Sequence, residues 1–162
     1  MIVHSTSWLL NDLLPEIDTY LSDLVKQTNA DLALVSSADS KQSNVMAVRY
    51  NNVSTKLPSL EIPHINQTSF CLCTINRPIP VIIGPLNKDP MFAFHPIVRQ
   101  YAFNTYVGVP IVVKKDNEED QYIGSICLFF RNEVSHDIRE YEHISISLKL
   151  IVKKKLTGLC QS

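Results

Sequence analysis

The sequence predicts an α+β fold: a central antiparallel β-sheet with the N- and C-terminal helices on one face and a helix and loop cover on the other. Three observations lead there. Both ends of the chain carry apolar stripes at helical spacing, within 10–25 and 138–152. Between them lie short runs rich in Val, Ile and Leu, at 32–37, 44–50, 81–83, 106–114 and 121–131. The outer runs are joined by short polar turns, whereas the central connection is too long for a hairpin. With 162 residues, 45% hydrophobic and 19% charged, the chain suits one domain, 1–162, built on one core.

The first helix, within 1–30, presents Leu10, Leu13, Leu14, Ile17, Leu21, Leu24 and Val25 on one face. Pro15 falls inside that pattern and predicts a kink, or a restart with Pro15 in the first turn; Asn29 marks the end. Strands follow at 32–37 and 44–50, with a polar turn through Asp39, Ser40 and Lys41 making them a hairpin. Residues 51–67, polar and carrying Pro58 and Pro63, read as a loop that leads to a helix over 68–76 closed by Pro78 and Pro80. Val81, Ile82 and Ile83 form a short buried strand, and Pro96 opens a helix through about residue 104.

Two longer strands come next, around a mixed-charge hairpin loop over 114–120. Gly108 and Pro110 require the first of these strands to bend or lie near an edge. The small pair Gly124 and Ser125 lets another backbone or a helix come close and suits the middle of the sheet. The last helix is expected over 135–157, with Ser135 as its cap and Ile138, Tyr141, Ile144, Leu148, Ile151 and Val152 on its inner face. Lys153, Lys154 and Lys155 then fall in its final turns, where positive charge favours the negative end of the helix dipole.

Composition removes several function classes. Fifteen Lys and Arg against 16 Asp and Glu give a formal charge of −1, with no overall attraction for nucleic acid or an anionic membrane, so neither is expected as a partner. The four glycines are scattered, so no dinucleotide-binding turn or phosphate-cradling loop can be written. No basic flank precedes the first apolar residues, and no window approaches the roughly 20 apolar residues that span a bilayer. A cytoplasmic location is the expectation. Cys71, Cys73, Cys127 and Cys160 then read as reduced thiols, and the sequons at Asn52 and Asn66 carry no glycan.

The blocks Ser69-Phe70-Cys71, Pro80-Val81-Ile82, Asp89-Pro90-Met91-Phe92, Pro96-Ile97-Val98, Tyr106-Val107-Gly108-Val109-Pro110-Ile111 and Ile123-Gly124-Ser125-Ile126-Cys127-Leu128 resemble, in order, the successive blocks of a GAF domain. The similarity is to bacterial GAF modules found ahead of histidine kinases and diguanylate cyclases. It implies a GAF-like sheet and a non-catalytic sensing or regulatory role in bacterial signal transduction. Partners implied are a second copy, joined through the terminal helices, and a signalling protein such as a kinase or cyclase. Two departures matter: Pro85 stands where many relatives carry Asp, and Met91 where they carry Arg. Cyclic nucleotides and bilins are thereby disfavoured, and no cofactor is assigned beyond an unknown small molecule.

By the same resemblance the ligand pocket is walled by Phe70, Ile83, Pro85, Leu86, Phe92, Tyr101, Phe103, Tyr106 and Val107. This apolar and aromatic lining suits a small organic molecule, or a weakly hydrated anion held by backbone amides. Each of these side chains could equally fill a core. A metal centre would need His64, Cys71, Cys73 and His95 together, but thiols two residues apart on a helix point about 200° apart, and no metal site is assigned. Free methionine sulfoxide reductases share the GAF fold and use paired cysteines; a thiol at a helix start, as at Cys71, would be nucleophilic. Their Gly-rich loop and cysteine spacing are absent, so this thiol enzyme stands as the alternative, with a ligand-free dimerisation module as a third reading. His136, Asp137, Glu140 and His143 fit a solvated helix face, and no catalytic residue is assigned.

Overall fold

A computed structural model describes residues 7–37, 44–50, 79–114 and 119–161. The elements are α1 (Ser7–Thr28), β1 (Leu32–Ser37), β2 (Asn44–Tyr50), β3 (Val81–Ile83), a 3₁₀ turn (Leu86–Lys88), α2 (Pro96–Tyr101), β4 (Thr105–Val113), β5 (Gln121–Phe130), a second 3₁₀ turn (Ile138–Tyr141) and α3 (Glu142–Gln161). The strands form one antiparallel sheet in the order β2-β1-β5-β4-β3. This is the expected α+β arrangement. The helix expected over 68–76 lies outside the described residues, as do Asp39, Ser40 and Lys41.

α1 forms where its apolar stripe dictates. Leu10, Leu13, Ile17, Leu21 and Leu24 are buried, and the helix continues through Pro15 rather than restarting there. Pro15 is exposed, so the carbonyl it leaves without an intrahelical donor can face water. Asn29 ends the helix in the left-handed conformation, φ 60°, and its N–H donates to the Val25 carbonyl at 3.0 Å.

Side chains alternate between the two faces of each strand. On one face Ala33 and Val35 of β1, Val107, Val109 and Ile111 of β4, and Ile126 and Leu128 of β5 pack with α1 and with Ile144, Leu148 and Val152 of α3. On the other face Leu32, Leu34, Tyr106, Cys127 and Phe129 pack with Leu86, Phe92, Ile97, Val98, Tyr101 and Phe103 from the 3₁₀ turn, α2 and their flanking loops. β5 is the central strand, and at Gly124 a Cβ would collide with the Ser36 carbonyl oxygen of β1. The close approach expected of the Gly-Ser pair is therefore to a neighbouring backbone.

β4 tolerates Gly108 and Pro110 because the β3 ladder ends opposite Gly108, so the position of Pro110 faces no described strand on that side. Its register then shifts between Ile111 and Val112. Several boundaries differ from expectation. β3 is half-buried rather than buried, and it is the last strand of the sheet among the described residues. α2 ends at Tyr101, short of residue 104, because Ala102 takes the left-handed conformation, φ 56°. The last helix does not start at Ser135. Ser135 Oγ accepts from the Asp137 N–H (3.1 Å), Asp137 caps the 3₁₀ turn, and α3 begins at Glu142. Because α3 runs on to Gln161, its last turn carries no basic residue, and Lys153–155 sit mid-helix.

Candidate functional site

The face of the sheet away from the terminal helices combines aromatic bulk with a buried polar row. Tyr101, Phe103, Phe129 and Tyr106 form a continuous series of rings, with successive centroids 6.0, 5.2 and 5.3 Å apart. Beside them runs a chain of hydrogen bonds, from Ser36 Oγ to Ser125 Oγ (2.9 Å), to Cys127 Sγ (3.6 Å), to the Tyr106 hydroxyl (3.3 Å). All four residues are fully buried. They meet because Ser36 pairs with Ser125 in the β1–β5 ladder, while Cys127 follows two residues later and faces Gly108 beside Tyr106.

The chemistry of that row is amphoteric. Each hydroxyl or thiol carries one hydrogen and can also accept, so the chain can run in either direction. Each of the three bonds takes one of these hydrogens, and Tyr106 and Cys127 also make interactions beyond the row. Buried polar groups need partners, and the row supplies at least one to each of its members. Cys127 is a buried cysteine on a central strand rather than at a helix start, which is the environment of an unreactive thiol. At the outer margin of this face Tyr50 is partly buried, and that desolvation raises its phenol pKa.

The cover is anchored by short-range caps. The Asp89 carboxylate accepts from the N–H groups of Met91 (2.8 Å) and Phe92 (3.2 Å), and that turn drives Phe92 into the aromatic cluster. Buried His95 caps α2, its Nδ1 accepting from the Ile97 N–H at 3.1 Å, so Nδ1 is unprotonated there and any ring hydrogen sits on Nε2. The Leu86 N–H donates to the Asn104 carbonyl (2.6 Å), tying the 3₁₀ turn to the start of β4.

Six of the nine expected wall residues come together on this face: Ile83, Leu86, Phe92, Tyr101, Phe103 and Tyr106. Pro85 is exposed. Val107 lies on the opposite face, in the core under the terminal helices, because it is the immediate neighbour of Tyr106 in the same strand. Phe70 lies outside the described residues, as do His64, Cys71 and Cys73. Met91, where an arginine is common among GAF domains, is 72% exposed. Among the described residues no group of three or more His, Cys, Asp or Glu is placed to hold a metal ion, and no helix is long and apolar enough to cross a membrane.

Sequence reasoning did not single out Ser36, Ser125 or Phe129 as site residues. The signal was present in the strand alternation: Leu32-x-Leu34-x-Ser36 and Ser125-x-Cys127-x-Phe129 place polar atoms at positions that two-sided burial would otherwise fill with aliphatics. Other cavities open elsewhere. A groove of about 550 Å³ between α1 and β2 is lined by Leu14, Asp18, Met46 and Arg49, and there Asp18 and Arg49 form an ion pair. A cleft of about 380 Å³ lies between α3 and the β4–β5 hairpin. Beside the start of α3, Asp137 is held below the usual carboxylate range, chiefly by the Arg139 side chain that donates to it.

No protein-family model matches the chain, and no curated protein matches it at a significant level. Solved structures do. A GAF domain/HD domain protein from Geobacter sulfurreducens superposes with TM-score 0.59 at 14% identity, covering 88% of this chain and 89% of that one. The type II free methionine-R-sulfoxide reductase from Thermoplasma acidophilum gives TM-score 0.63 at 11% identity, over 90% and 93%. A nitrate-site mutant of the NreA protein from Staphylococcus aureus gives 0.58 at 13% identity, over 82% and 96%. The chain has a GAF-like fold.

Proposed function

We propose that this chain acts without catalysis as a cytoplasmic sensor or regulatory module that reads a small organic molecule or a weakly hydrated anion over the mixed face of its sheet. The observation that carries this reading is the buried polar row Ser36, Ser125, Cys127 and Tyr106, set among aromatic rings. An apolar lining with a few placed polar groups is the usual make-up of a small-molecule site. The GAF-like fold supports a sensory or regulatory role, and the similarity to a protein with a nitrate-binding site supports small anions as a ligand class. In this reading the residues that receive the ligand are Ile83, Leu86, Phe92, Tyr101, Phe103 and Tyr106, together with Ser125 and Cys127.

Ligand binding acts by favouring one of two conformations, since equal affinity for both shifts nothing. The signal then leaves through a homodimer formed by the terminal helices, or through a signalling partner such as a kinase or cyclase. Exposed Ile146 and Leu150 on α3, 59% and 54% accessible, favour such an association. A second reading, a thiol enzyme acting on free methionine sulfoxide, has the similarity to the Thermoplasma reductase in its favour. It would rest on Cys71 and Cys73.

Native mass spectrometry of the protein purified from its source organism tests the sensor reading. A retained small mass in the wild type, lost in Tyr106→Phe, is the expected result. No retained mass, with turnover of free methionine sulfoxide that vanishes in Cys71→Ser, would replace it with the enzyme.

A further inference from the structure

The lysine run at 153–155 has no role as a helix-end charge, because α3 continues to Gln161 and dipole effects fade beyond the last turn. Lys155 is half-buried and pairs with Glu16 of α1 at 3.5 Å. Lys153 turns instead to the cleft of about 380 Å³ between α3 and the β4–β5 hairpin. Val112, Val152 and Leu156 form its apolar floor, and Lys114, Lys149 and Lys153 rise around it, with Asp120 as the one acidic residue in the described lining. Among the described residues none of these three lysines has an ion-pair partner. The groove between α1 and β2 differs in this respect, since its Arg49 is already neutralised by Asp18.

The cleft does not end at its rim. Residues 146, 149, 150, 153 and 157 fall within about 100° of arc on a helix, so exposed Ile146 and Leu150 continue the surface along α3 beside Lys149 and Lys153. An occupant that satisfies the whole surface must supply carboxylates to at least two ammonium groups and aliphatic or aromatic groups to the floor and the adjoining turns. It must also span three turns of helix, more than a compact metabolite covers.

We propose that this surface docks an acidic, amphipathic segment of a partner protein, which seats an apolar side chain on Val112, Val152 and Leu156 and places its carboxylates against Lys114, Lys149 and Lys153. Charge complementarity and desolvated apolar contact together give the orientation that either alone lacks. The surface is on the helix side of the sheet, so it stands independently of any ligand on the mixed face.

A displayed library of random 12-residue peptides, selected on the full chain and counter-selected on Lys149→Glu/Lys153→Glu, is the test. Both lysines are exposed, so circular dichroism of the double variant should match the wild type. The expected outcome is a consensus of Asp or Glu spaced around Leu or Phe, whose binding falls at least tenfold in the double variant and also in Leu156→Ser. Octanoate, a small carboxylate with an alkyl tail, is titrated in parallel. Submillimolar octanoate binding without an acidic consensus would reassign the cleft to a small molecule and overturn the proposal. So would a consensus lacking acidic residues, binding unaffected by the lysine changes, or a dimer in the wild type that the double variant converts to monomer.

Discussion

On β5, Ile126 and Leu128 join α1 and α3 in an aliphatic core, while their neighbours Ser125, Cys127 and Phe129 join a cluster of rings and hydroxyls on the other side. β4 repeats the division, with Val107 and Val109 on one face and Tyr106 on the other. The helix side satisfies the requirement for burial with interchangeable aliphatic volume. The opposite side spends core positions on polar atoms, each of which needs a partner to avoid a desolvation cost of about 1–3 kcal/mol. The proposed sensing role rests on this asymmetry between the two faces.

The largest test of this contrast is at the seam between β5 and β1. Gly124→Ala places a Cβ against the Ser36 carbonyl oxygen, and should destabilise by about 3 kcal/mol or prevent folding. An unchanged urea midpoint would refute the close approach. On the helix side, Leu21→Ala should cost about 2–5 kcal/mol in the same measurement, from lost burial and the cavity it leaves.

On the mixed face the expected pattern reverses, with small stability changes and large ligand effects. Tyr106→Phe keeps the ring against Phe129 and removes one hydroxyl, so denaturant unfolding should report about 1 kcal/mol while retained ligand disappears. Asp89→Ala removes the acceptor that turns Phe92 inward and should cost about 1 kcal/mol, seen as a lower thermal midpoint. The smallest effect belongs to Asp137. Because its carboxyl lies below the ordinary value of 3.8, its contribution is present above that pH and fades as pH falls through the lower folded value. Acid unfolding curves of Asp137→Asn should therefore diverge from wild type at neutral pH and converge toward it in strong acid.

Much of the fold was legible because periodicity is a strong signal. The Leu10 to Val25 stripe and the alternating runs at 32–37 and 121–131 correspond to α1, β1 and β5 within a few residues. Boundaries set by single backbone conformations were not legible. Nothing in the sequence marks Ala102 for the left-handed region that ends α2, and Asp137 displaced Ser135 as the cap because both are good acceptors two residues apart. Of the expected wall residues, six share one face and Val107 lies on the other, since a family block names consecutive residues while a strand sends them to opposite faces. The hydroxyl row was missed because Ser36 and Ser125 are 89 residues apart and meet only through the β1–β5 register.

The claim that the mixed face receives a ligand is tested most directly by amide chemical-shift mapping. Isotopically labelled protein is titrated with the dialysable small-molecule fraction of an extract from its source organism. Shifts that cluster on Ser36, Tyr106, Ser125 and Cys127, and are lost in Tyr106→Phe, are the predicted result. No shifts at those amides, or shifts confined to α1 and α3, would contradict it.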